Sequence, residues 1–135
     1  MFLKHFLSYL IILVVFFAID LVWIAVVAKK FYRDNLGFLM KKKTGWLAAI
    51  VFYLIYIFGL LYFVVNPALA MGSGIYALYT GAIFGFIAYA TYDLTNLATV
   101  KDWPLKLTIV DLVWGSTLSA GVCIVSYYII LALLY

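Results

Sequence analysis

The chain has no glutamate, one cysteine and one histidine in 135 residues, and only 10% of it is charged. Each shortage excludes something. A lone cysteine, Cys123, makes no internal disulfide and no thiolate metal site by itself. It reads as a small apolar filler within a helix. A single His5 without a cysteine partner argues against zinc and haem, and a di-metal cluster of histidine and glutamate cannot be built. Neither a metal nor a cofactor is expected. The shortage of charge says most. A soluble domain carries roughly 25% charged residues. At 70% hydrophobic and 20% aromatic, this chain has more apolar surface than a soluble fold of its size can hide. The expected class is all-α and integral to a membrane, a four-helix bundle forming one domain over residues 1–135. The formal charge of +4 would suggest nucleic acid elsewhere. Here it reports topology, and no nucleic-acid partner is expected.

Four apolar runs are long enough to span. The first, about Phe6 to Ala28, reaches about 34 Å at 1.5 Å per residue, against a hydrocarbon core of ~30 Å. Lys4 before it and Val26–Ala28 after it resemble a signal peptide. The run is too long for a signal core and contains Asp20 and Trp23, so it reads as a retained span. The others run about 46–65, 75–98 and 107–131. Trp46 suits the interface at the start of the second, and Asn66-Pro67 is expected to end it. Tyr53 and Tyr56, at i and i+3, are candidates for the bundle interior. In the third span, Gly81 and Gly85 form GxxxG, a pattern that favours close helix packing. In the link before the fourth, Pro104 disfavours helix at Trp103 and suits a new helix start.

Between the first two spans lies KKFYRDNLGFLMKKKT. Tyr32, Leu36, Leu39 and Met40 share one helical face, and Lys29, Lys30, Arg33, Lys41, Lys42 and Lys43 supply charge. This stretch suits a short interfacial helix on anionic headgroups with Gly37 as its weak point, or equally a solvated link that only fixes topology. Membrane lipids are the expected partners either way. With four spans, Lys4 is the only lysine or arginine on the side of the termini. Lys29, Lys30, Arg33, Lys41, Lys42, Lys43, Lys101 and Lys106 lie on the other. The positive-inside rule then puts both termini outside and both basic loops in the cytoplasm.

Three aspartates stand where oil should be. An ionised aspartate at the centre of a membrane helix costs about 2.5–3.5 kcal/mol on translocon scales. Counting from the nearest lysines, Asp20, Asp93 and Asp111 lie roughly 7–14 Å inside the basic boundary. No lysine or arginine lies within a span to neutralise them. A shared polar pocket is the economical arrangement. Each has a partner three residues on: Trp23, Asn96 and Trp114. The tetrapeptide Asp-Leu-Val-Trp occurs twice, at 20–23 and 111–114. Tyr89, Tyr92 and Trp103 complete the candidate binding set. The plainer account is an interhelical hydrogen-bond network, worth about 0.6 kcal/mol per bond in membranes.

The run YDLTNLATVKDWP followed by VDLVWG, over Tyr92–Gly115, resembles a family of small bacterial inner-membrane proteins of unknown function. The resemblance extends over essentially the whole chain, including Asp20–Trp23. It implies a four-helix fold in the bacterial inner membrane, genes near those of fatty-acid-modifying enzymes, and no established activity. It marks Asp93, Asn96, Trp103, Pro104, Asp111 and Trp114 as its pattern residues. Three functions compete. In the first, the pocket binds a lipid or other amphiphile as an accessory to lipid modification, its aromatic walls holding a tail and its aspartates a polar or cationic head. The second is proton-coupled export of small hydrophobic cations, by analogy with four-helix exporters carrying an embedded acid. The third is an enzyme using aspartates on a lipid, which ranks last because no nucleophile–base pair or catalytic motif is present. A homo-oligomer packed through Gly81 and Gly85 is a further, purely structural expectation.

Overall fold

The computed structural model covers residues 1–135. Four helices carry the chain: α1 (Phe2–Leu39), α2 (Trp46–Met71), α3 (Gly74–Thr99) and α4 (Leu105–Leu134), each long and apolar enough to cross a membrane. There is no strand.

Two boundaries differ from expectation for one physical reason. The basic stretch after the first span is helical over Lys29–Leu36, but it is no separate interfacial helix. It continues α1 through a wide π turn at Ile24–Ala28 and closes in a tight 3₁₀ turn at Gly37–Leu39. With 38 residues, α1 reaches about 57 Å, far beyond a ~30 Å core. Likewise Asn66-Pro67 does not end α2. A second π turn, Leu61–Val65, precedes it. The wide turn resets the hydrogen-bond register, so Pro67 falls in the first turn of the resumed helix, where its missing N–H is tolerated. The helix ends instead at Gly72, whose φ of 64° is the left-handed conformation that glycine adopts freely. Ser73 then caps α3, its hydroxyl accepting the Tyr76 N–H at 3.1 Å. The connection from α3 to α4 passes through Asp102 at φ 60° and Pro104, whose extended backbone precedes α4.

The closest pairing is α3 against α4. A methyl group on Gly85 would collide with the Gly115 carbonyl, and one on Gly115 with the Tyr89 ring. Gly81 is also close to α4, though less tightly, with a methyl there meeting the Ser119 carbonyl at 2.9 Å. The GxxxG face is therefore occupied within the chain by α4. Ser116 adds a hydrogen bond to the Ala82 carbonyl at 2.9 Å. Against this pair pack α1 and α2, tied by Tyr9 to the Leu54 carbonyl at 2.9 Å and by Tyr56 to Ser119 at 2.6 Å.

The apolar core is displaced toward the end that carries the termini. It contains Ile12 and Phe16 of α1, Ile57, Leu60 and Val64 of α2, and Leu118, Val122, Tyr127 and Ile130 of α4. Toward the other, basic end, no residue of α2 before Tyr56 is buried. There α2 stands away from the other three helices, and the space beside it is the candidate site.

Candidate functional site

Two hollows of the basic half, among several there, are lined by an aspartate. The larger, about 790 Å³, is an open hollow bordered by α1, the start of α2, Tyr89 of α3 and Trp114 of α4. Along α1, Asp20, Trp23, Ile24, Ala28, Lys29, Tyr32 and Arg33 form its wall; Met40, Thr44 and Trp46 close its basic end. The smaller, about 390 Å³, lies between Tyr32, Phe52, Ala88, Tyr89, Tyr92 and Asp111. Tyr32, Phe52 and Tyr89 line both, so three aromatic side chains form the partition.

The repeated tetrapeptide supplies the wall between α1 and α4. The rings of Trp23 and Trp114 stack 4.2 Å apart and within 8° of parallel. Because the two helices run antiparallel, the repeat produces a local two-fold arrangement. The tryptophans meet at its centre, with Asp20 on one side and Asp111 on the other. Each aspartate is three residues, about 4.5 Å of helix, from its tryptophan. Asp20 is 7% exposed, and the Trp114 indole and Tyr53 hydroxyl face it. Asp111 is 5% exposed and accepts a hydrogen bond from Tyr32. Both acids thus have donors within reach that compensate part of the cost of removing them from water.

Asp93 is different. It is fully buried, and neither carboxyl oxygen has a hydrogen-bond partner. It lines neither cavity. The antiparallel register fixed by Gly81 and Gly85 carries it to the level of Leu107–Asp111, inside the α3–α4 contact. The expected single pocket of three acids is thus two acids at adjoining cavities and a third between helices. Asn96 and Trp103 also stand outside both cavities. Trp103 is buried, donates its indole N–H to Thr108 at 3.0 Å, and meets the Tyr92 ring edge-on at 5.6 Å. That cluster fastens the α3–α4 connection.

Among the basic residues, Lys29 and Arg33 reach the larger cavity, whereas Lys30, Lys41, Lys42 and Lys43 are exposed and do not. Asp20 therefore lines the same cavity as two cations, although neither lies within the expected first span. The running-on of α1 brings them there. Sequence reasoning missed Tyr32 and Phe52 as site residues and placed Tyr53 only in the interior. A faint signal existed: Tyr32 follows Ala28 by four residues, one turn along the same helical face.

The family described as "Predicted membrane protein (DUF2177)" matches residues 5–128. No curated protein and no solved structure matches the chain.

Proposed function

The chain belongs to this family of predicted membrane proteins, and from that premise we propose that it binds a lipid or other amphiphile in the cavities of its basic half. The observation that carries the reading is the 790 Å³ cavity itself, walled by the Trp23–Trp114 stack, Phe52, Tyr53 and Tyr89 and edged by charged side chains. Its volume falls in the range of small-molecule sites, and its apolar walls with a few polar groups are what an amphiphile fits. The lysine and arginine excess at that end turns it to the cytoplasm of a bacterial inner membrane. Binding there suits an accessory to a lipid-modifying enzyme, presenting one molecule out of the bilayer.

Proton-coupled export of a hydrophobic cation is the second reading, favoured by one observation, the unpartnered and fully buried Asp93. Such a carboxyl is a place for a proton, but it lies outside both cavities, which separates it from any cargo. An enzymatic role for the aspartates is weaker, since Asp20 and Asp111 are engaged by indole and phenol groups rather than by a base or nucleophile.

The test is gentle extraction followed by mass analysis of what stays bound. The expected result is about one amphiphile per chain, retained by the wild type and lost in Trp114→Ala with helicity unchanged. Protein that carries no amphiphile and takes up none when offered would exclude the reading.

A further inference from the structure

Resting on that reading, we infer that the occupant is an anionic phospholipid of the leaflet at the basic end, with its phosphate between Lys29 and Arg33 and one chain laid inward along the Trp23–Trp114 stack. The larger cavity has a polarity along α1. At its outer end stand two cations four residues apart on one helical face, Lys29 and Arg33. Asp20 lies nine residues earlier, about 13 Å deeper along the helix.

An amphiphile's head belongs at the watery end, so the two cations and not the acid meet it. Arg33 offers a planar fork of donors and Lys29 a point charge, a pair suited to a phosphate diester. Asp20 is already faced by the Trp114 indole and the Tyr53 hydroxyl, so it stabilises the aromatic wall rather than receiving a head. The sequence assigns the aspartates a polar or cationic head and the whole basic stretch anionic headgroups; here the head goes to Lys29 and Arg33 alone. It also separates the six basic residues of this stretch into two classes. Lys29 and Arg33 belong to a site; Lys30, Lys41, Lys42 and Lys43 contribute diffuse attraction to anionic lipid.

The experiment is native mass spectrometry of the full chain offered phosphatidylglycerol, phosphatidylcholine of the same chains, or oleate. The wild type is expected to retain phosphatidylglycerol at least tenfold over phosphatidylcholine. Lys29→Gln with Arg33→Gln should abolish that preference, while the triple change of Lys41, Lys42 and Lys43 to Gln should keep it. All five side chains are exposed, and unchanged melting of both variants confirms that the fold is intact. Equal loss in the two variants would mean diffuse attraction and overturn the site. Equal retention of both phospholipids would overturn the headgroup assignment while leaving amphiphile binding standing. Oleate bound in place of phosphatidylglycerol would overturn the phospholipid. No binding of any of the three would defeat the broader reading as well.

Discussion

The two halves of the bundle solve different problems with the same four helices. In the half near the termini, Leu60, Val64, Leu118, Val122 and Ile130 interlock with no exposed side chain among them. Among its polar groups, Tyr56 is tied to Ser119. In the basic half, α2 buries nothing before Tyr56, and the gap is bordered by aromatic rings and acids. Lipid tails are as apolar as leucine, so a membrane bundle is held by close packing rather than by expulsion from water. In the basic half α1, α3 and α4 still pack, and α2 alone is left without a buried side chain. The difference teaches that the gap beside α2 needs no packing of its own to persist, because the other half holds the helices together.

The sharpest way to break the comparison is to overfill each half. Gly85→Leu puts a side chain where the Gly115 carbonyl stands. It should cost about 3 kcal/mol or more and lose the monodisperse species in size-exclusion chromatography. Gly45→Leu, with nothing near its Cβ, should change stability by less than about 0.5 kcal/mol. Emptying each half gives the next largest contrast. Leu60→Ala in the packed half should lower unfolding free energy in mixed micelles by about 3 kcal/mol. Phe52→Ala, half exposed between the cavities, should lower it by under about 1 kcal/mol while weakening ligand retention.

Trp114→Ala sharpens the contrast between stability and binding. Loss of the stack should cost only about 1 kcal/mol, yet bound amphiphile should fall at least about tenfold, the equivalent of 1.4 kcal/mol. The smallest effects separate the two interhelical phenols. Tyr56→Phe and Tyr32→Phe should each cost about 0.6 kcal/mol. Only Tyr32→Phe should speed amide exchange over Lys29–Leu39, because its bond to Asp111 ties that extension of α1 to α4.

Much of the architecture was legible because membrane helices announce themselves by length and composition. The four spans, and Gly81 and Gly85 as a close-packing face, follow from local pattern. Where Asn66-Pro67 was expected to stop α2, a π turn absorbed the proline, and such turns have no reliable sequence signature. The same device in α1 carried Lys29 and Arg33 into a cavity that their sequence positions place outside the bilayer. Asp20 and Asp111 could be suspected from the repeated tetrapeptide, but not that Trp23 and Trp114 would stack. Asp93 shares their scarcity and depth, yet its side of α3 faces helix rather than cavity, a matter of rotation that spacing alone does not fix.

The most direct test of an open half that holds lipid uses the chain's own tryptophans. With Trp46 and Trp103 changed to Phe, only Trp23 and Trp114 report. Delipidated protein in detergent would be titrated with phosphatidylglycerol brominated on its chains. The account predicts quenching that saturates near one lipid per chain and is reversed by unbrominated phosphatidylglycerol. Quenching that grows without saturation, as for rings meeting bulk lipid, or none at all, would contradict it.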